Sequence, residues 1–167
     1  NIEFAGVIFP VVMFFLTILS FFFFVREVFI RKGKENEIKA NIIALISTFF
    51  MILIPEFLAR TVAGIPEKES AAFFFMFLAF YLFLKAWKSE KLNKAIIFGV
   101  LAGISTGMMA LIWGGFSYIF IPIPLSILIA FMLNKIHKKE IIVYCLWLIF
   151  SSVLMILFSS RFILKGM

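Results

Sequence analysis

Two carboxylates, Glu67 and Glu69, follow Arg60 within the hydrophilic break Arg60-Thr61-Val62-Ala63-Gly64-Ile65-Pro66-Glu67-Lys68-Glu69, which lies between two long apolar runs. A spacing of two lets an extended or turning backbone aim both carboxylates at one point. Pro66 restricts the approach, and Gly64 supplies conformational freedom just before it. Oxygen ligands of this kind suit Mg²⁺ or Mn²⁺, which take one or two carboxylates and complete their shell with water and substrate phosphate. Arg60 closes an apolar run, where a cation is costly unless it has a partner or a water-filled cavity. The same residues also read as an ordinary solvated loop, because Lys68 separates the two glutamates, or as a structural i,i+4 pair of Glu56 with Arg60 at the membrane interface. Spacing alone leaves these readings open.

The elements that must position these groups are membrane helices. The chain is 64% hydrophobic and 19% aromatic over 167 residues, with a mean hydropathy of +1.15, far from the roughly 45–50% apolar usage of soluble domains. Its apolar runs have about the length a helix needs to cross hydrocarbon. They predict an all-α fold, a polytopic transmembrane helix bundle forming a single domain over 1–167, with about six spans at 5–25, 41–59, 71–87, 95–112, 116–134 and 141–160. If the spans alternate, one side receives Arg26, Arg31, Lys32, Lys34, Lys39, Lys85, Lys88, Lys91, Lys94, Lys135, Lys138 and Lys139. The other side receives Arg60, Lys68, Arg161 and Lys165. The strongly basic side is cytoplasmic by the positive-inside rule, so the break with Glu67 and Glu69 faces outward. The net charge of +7 is spread over these short loops, a distribution that serves topology and argues against nucleic acid as a partner.

Further features refine the bundle. Gly99, Gly103 and Gly107 repeat at four-residue spacing and predict a face for close helix approach. Trp113-Gly114-Gly115-Phe116 leaves room only for a tight reversal at the outer interface, with Trp113 and Tyr118 in the aromatic belt. Pro122 and Pro124 predict a kink or an unwound turn in the fifth span. The phenylalanine runs Phe21–Phe24 and Phe73–Phe75 read as lipid-facing or bundle-filling. Cys145, the single cysteine, reads as a small buried apolar residue and excludes a disulfide framework. His137 reads as a solvated residue of a basic loop.

The segment from Arg60 to Glu69 resembles the second acidic motif of oligosaccharyltransferase catalytic subunits, where an Arg-[Ser/Thr]-x-[Ala/Ser]-Gly lead runs into Asp-x-[Asp/Glu]. Trp113-Gly114-Gly115-Phe116 is similar to that family's Trp-Gly-Gly-[Tyr/Phe] segment, in the right order and on the same side. The first span and its exit through Arg26-Glu27 resemble the family's third membrane helix. The resemblance implies a glycosyltransferase of the GT-C architecture that moves an oligosaccharide from a polyprenyl (pyro)phosphate carrier to the asparagine of Asn-x-[Ser/Thr] in an acceptor protein. It implies that Glu67 is a metal ligand, that Glu69 is a second acid close to the metal, and that Arg60 is a catalytic residue near the same site, with Mg²⁺ or Mn²⁺ as cofactor. Glu67 stands where the motif has aspartate, in a chain whose nine acidic residues are all glutamate.

The family's first acidic motif, its later external glutamate and its Trp-Trp-Asp module have no counterpart here. The chain is therefore expected to be an internal piece, roughly the third to eighth membrane helices, and inactive alone. Its lead-in Asn1-Ile2-Glu3-Phe4 lacks the flank of a signal peptide, and richness in lysine, isoleucine and phenylalanine leans towards a prokaryotic plasma membrane. Two other readings compete: another GT-C enzyme using a polyprenyl-phosphate sugar, and a noncatalytic transporter or scaffold. The latter expects no convergence of Arg60, Glu67 and Glu69.

Overall fold

Apolar runs of this length have one economical solution in lipid, a helix whose backbone groups bond one another, and the computed structural model, which describes residues 2–31, 33–65 and 67–158, is helical along most of each apolar run. The order is α1 (Ile2–Phe29), α2 (Lys34–Ile52), α3 (Pro55–Ala59), α4 (Lys68–Lys88), α5 (Leu92–Ile112), a 3₁₀ turn (Gly114–Phe116), α6 (Ser117–Phe120), α7 (Pro122–Met132) and α8 (Lys138–Phe158). Five stretches are long and apolar enough to cross a membrane: Glu3–Phe29, Lys68–Lys88, Leu92–Ile112, Gly114–Met132 and Lys138–Phe158. No strand occurs among the described residues.

The run 41–59 is divided. Proline disfavours helical geometry in the residue before it, and Ile54, preceding Pro55, is extended at φ −71°, ψ 118°. The chain therefore leaves α2 at Leu53 and restarts with Pro55 in the first turn of α3, where a missing N–H costs nothing. In the fifth run the interruption is slighter: Ile121, between α6 and Pro122 of α7, keeps right-handed helical geometry at φ −93°, ψ −56°, the ladder loses only the N–H that Pro122 lacks, and Ser126 donates its hydroxyl to the Pro122 carbonyl at 2.7 Å. The end of the sixth run, 159–160, lies outside the described residues, as do Lys32, Pro66, Arg161 and Lys165.

Helix α5 is the centre of the bundle, packed chiefly on α4 and α8, while α4 also packs on α1. Its glycine row faces α8. A Cβ on Gly103 would stand 2.8 Å from the Trp147 carbonyl oxygen and 2.9 Å from Phe150 Cβ, whereas one on Gly99 would meet Val143 at an ordinary 3.5 Å. Fully buried Trp147 donates its indole N–H to Thr106 Oγ1 at 2.9 Å, and Thr106 donates onward to the Ala102 carbonyl at 2.9 Å. On the other face of α5, Ser105 donates to the Phe75 carbonyl of α4 at 2.8 Å. The run Phe21–Phe24 packs into the α1–α4 seam, with Phe21 on Phe77 and Phe24 on Phe80, while Phe73 of the second run meets Phe57 and Trp113.

Cys145 is exposed, not buried. The buried positions of α8 are Glu140, Val143, Trp147, Ser151 and Met155, and a residue two beyond Val143 is turned roughly 200° from that face.

Lysines cap helix ends at the basic end of the bundle. Lys139 of α8 donates to the carbonyls of Trp87 and Ser89 at 2.9 and 2.8 Å, and Lys88 of α4 donates to those of Glu27 and Val28 at the end of α1. Each cation thereby meets carbonyls that have no intrahelical donor, at the negative end of the helix dipole. Arg26 adds a 2.7 Å bond to Asn41, joining α1 to α2.

Candidate functional site

At the opposite end of the bundle, the chain between α3 and α4 is built to return on itself. Thr61 caps α3, its buried hydroxyl donating to the carbonyls of Phe57 at 2.9 Å and Leu58 at 3.2 Å. Gly64 adopts φ +86° with nothing within 4 Å of the position a Cβ would take. Glycine serves there for its left-handed backbone alone, which costs other residues roughly 1–2 kcal/mol. Glu67 then takes extended geometry at the N-cap of α4, and Glu69 lies in that helix's first turn. Both carboxylates sit at the positive end of the α4 dipole. Ser70 donates to the Glu67 carbonyl at 2.7 Å and so fixes the start of the helix.

Arg60, Glu67 and Glu69 converge. Arg60 Nη1 lies 3.0 Å from Glu67 Oε2 and 3.8 Å from Glu69 Oε1. The hydrogen bond that Arg60 donates to Glu67, then the charges of Glu67 and Glu69, raise the arginine pKa above its ordinary value. Its side chain is 48% exposed and those of Glu67 and Glu69 are 32% and 23% exposed, so this is a wet surface cluster whose own contribution to stability is small.

Glu56 does not join the cluster. The i,i+4 pair allowed by spacing is replaced because α3 is only five residues long and Arg60 is its C-cap. From there the guanidinium reaches two carboxylates at the head of α4, against one on its own turn. Glu56 and Arg60 share only a backbone bond, Arg60 N–H to the Glu56 carbonyl at 3.4 Å.

Each carboxylate gives one oxygen to Arg60, and among the described residues its second oxygen has no protein partner. Two hard oxygen donors with a net charge of −1 beside one arginine suit a divalent ion that keeps water and phosphate in its shell. No third His, Cys, Asp or Glu joins them among the described residues.

Beneath this cluster runs a line of aromatic rings that spacing did not reveal. Phe14 stacks on Phe57 at 5.2 Å, Phe57 lies 5.9 Å from Phe73, Phe73 meets the edge of Trp113 at 6.2 Å, and Trp113 stacks on Tyr118 at 5.8 Å. Phe57 lies one turn before Arg60 and Phe73 one turn after Glu69, so the line ties the charged loop to the reversal after α5. Gly115 has a different role from the one its spacing suggested. Its φ of −78° suits any residue, but a Cβ there would fall 2.0 Å from the Trp113 ring. Glycine is the seat of that indole. The only sequence signal for the line was that Phe57, Phe73, Trp113 and Tyr118 fall near the ends of runs that share one side of the membrane, whereas Phe14 lies midway along the first run.

Comparison with known proteins adds the family. Residues 2–165 match the family model described as oligosaccharyl transferase STT3, N-terminal. The chain is 26% identical over 150 residues to the Arabidopsis thaliana dolichyl-diphosphooligosaccharide–protein glycosyltransferase subunit STT3B, covering 80% of this chain and 20% of that protein. It is 26% identical over 109 residues to the rice STT3A subunit, covering 65% and 13%, and 28% identical over 109 residues to the stt3 subunit of Schizosaccharomyces pombe, covering 65% and 14%. The chain thus spans no more than about a fifth of the length of these relatives. All three are eukaryotic, which overturns the expected prokaryotic plasma membrane and leaves a multi-pass membrane protein. With a match along nearly its whole length and a bundle of apolar helices to carry it, this chain belongs to the oligosaccharyl transferase STT3 family, in the N-terminal membrane region that the family model describes.

Proposed function

We propose that this chain supplies the lipid-linked donor side of an oligosaccharyltransferase active site. In the complete protein, the sugar chain passes from a polyprenyl (pyro)phosphate to the asparagine of an Asn-x-Ser/Thr sequon. The observation that carries the reading is the convergence of Arg60 on Glu67 and Glu69 at the head of α4, within a chain matched from 2 to 165 by the family model. A noncatalytic transporter or scaffold expected no such convergence.

Transfer breaks the bond between the anomeric carbon and the phosphate oxygen and forms one to the asparagine nitrogen, so negative charge grows on the departing phosphate. Glu67 and Glu69 would hold Mg²⁺ or Mn²⁺, which when bound supplies Lewis-acid neutralisation of that charge. Arg60 stays protonated throughout, since its two carboxylate neighbours raise its pKa further. Its exposed N–H groups offer charge-assisted hydrogen bonds to phosphate oxygens, and a fixed donor of this kind acts most strongly where charge develops. Until a cation arrives, Arg60 offsets the repulsion between the two carboxylates, and it then competes with that cation for them. Gly64 and Thr61 hold the loop that makes this reach possible.

The complete site requires groups beyond the described residues, and the chain alone is expected to be inactive. The test is sequon-peptide glycosylation by the full-length protein in membranes. Glu67→Ala is expected to abolish transfer, while Glu56→Ala, on the neighbouring turn but outside the cluster, retains it. Unchanged transfer with Glu67→Ala rejects the site.

A further inference from the structure

The end of the bundle opposite Arg60 contains a cleft of about 420 Å³ between the C-termini of α1 and α4 and the start of α5. Its charged wall is made of Lys85, Lys88 and Lys94 with one carboxylate, Glu27, and its volume falls in the roughly 300–1,000 Å³ range of small-molecule sites. Lys88 is engaged, donating to carbonyls that end α1. Lys85 is not spent: it gives one hydrogen to the Tyr81 hydroxyl at 2.6 Å and lies 5.0 Å from the centroids of the Tyr81 and Phe98 rings. An ammonium has three donors, so two remain.

Lys94 stands in the first turn of α5, a helix with no acidic residue in that turn and no side-chain cap at Lys91. Lys94 therefore adds its charge to the positive end of the α5 dipole, with Glu90 lying just before the cap residue Lys91. Charge alone would suit any small anion. The apolar side of the cleft decides between anions, because Ile97 at its rim begins an exposed row with Leu101 and Ile104 along α5, at 56%, 42% and 37% exposure. Residues at this spacing share one helix face, and the row leads from the basic end towards the middle of the membrane. A free anion would leave that row unused.

We propose that the cleft binds an anionic phospholipid of the cytoplasmic leaflet, with its phosphate against Lys85, Lys94 and the first amides of α5, and an acyl chain along Ile97, Leu101 and Ile104. Basic pockets between membrane helices on the cytoplasmic side recognise such headgroups. The proposal stands independently of the outer site.

The test is native mass spectrometry of the full-length protein titrated with phosphatidylglycerol or with phosphatidylcholine. Phosphatidylglycerol is expected to be retained in preference, and Lys85→Gln with Lys94→Gln to weaken it about 25-fold, at about five-fold per lysine. Lys135→Gln with Lys138→Gln removes equal charge from the same membrane face and is expected to leave retention unchanged. Lys94→Gln alone, at an exposed position, gives a variant without folding risk and should weaken retention about five-fold. Equal retention of phosphatidylcholine, an equal loss from the control pair, no loss from Lys94→Gln, or displacement by millimolar inorganic phosphate alone would overturn the proposal.

Discussion

Gly103 of α5 is the position where a single methyl should do most damage, and the glycine row offers its own controls. A Cβ at Gly103 meets the Trp147 carbonyl oxygen at 2.8 Å and Trp147 Cα at 3.2 Å, backbone atoms that cannot rotate away. Restoring ordinary contact, from 2.8 Å to 3.4 Å, requires α8 to withdraw by about 0.6 Å, and close-packed interiors resist such shifts. The same movement would stretch the 2.9 Å bond from Trp147 to Thr106 towards about 3.5 Å, where a hydrogen bond is largely lost. Overpacking costs about 1–3 kcal/mol, against a gain of roughly 0.5–1 kcal/mol from replacing glycine in a helix. Gly103→Ala should therefore destabilise by about 1–2 kcal/mol. At Gly107 the atoms met at 2.8 Å are Leu154 Cδ1, which can turn aside, and Leu154 Cβ, which cannot; with one fixed atom in place of the three met at Gly103, Gly107→Ala should be destabilising but cost less. Gly99→Ala meets Val143 at 3.5 Å and should stabilise by about 0.5 kcal/mol. Reversible unfolding of the full-length protein in mixed micelles, driven by increasing SDS, measures all three. The packing account is refuted if Gly103→Ala is as stable as the parent, or if Gly99→Ala costs as much.

Thr106→Val removes the acceptor of the buried Trp147 N–H and should cost about 1–2 kcal/mol in the same assay, because an unpaired buried donor keeps its desolvation penalty, whereas Thr106→Ser should cost little. Gly64→Ala introduces strain at φ +86° without any clash. It should reduce glycosylation by the full-length protein, while Gly64→Asn, a residue that tolerates the left-handed region, should retain more activity. Gly115→Ala must displace the Trp113 ring, since 2.0 Å is no contact distance. Near-UV circular dichroism should record loss of the Trp113–Tyr118 stack, and an unchanged spectrum contradicts the seating role of Gly115.

Legibility in the sequence followed the range of the interactions involved. Runs bounded by charge announced the helices, because hydrocarbon thickness and backbone satisfaction act on each segment by itself. Pro122 announced its interruption for the same local reason. The glycine row on α5 announced close approach, but not its partner α8, since that depends on how helices distant in sequence meet. The Arg60–Glu67–Glu69 cluster was legible as a group of residue types, while its pairing was not. Local spacing favoured Glu56 equally, and only the return of the chain through Gly64 brings the head of α4 within reach of Arg60. The aromatic line from Phe14 to Tyr118 draws on four helices and the C-cap of α5 and carried no periodic signal. Cys145 was misread because residue type favours burial, whereas the face of α8 is set by Val143, Trp147 and Ser151.

The proposed site has Glu67 and Glu69 holding the divalent ion used in transfer, with Arg60 beside them. It is tested most directly by titrating Mn²⁺ into the metal-stripped full-length protein, reading bound ion by electron paramagnetic resonance and sequon-peptide glycosylation in parallel. The account predicts that Glu67→Gln and Glu69→Gln each raise the Mn²⁺ concentration required for binding and for transfer together, by about ten-fold or more. It also predicts that Arg60→Gln leaves binding intact or tightened, because a competing cation is removed, yet lowers transfer by roughly 10²–10³-fold. Mn²⁺ binding and transfer that are indifferent to both glutamates would contradict it.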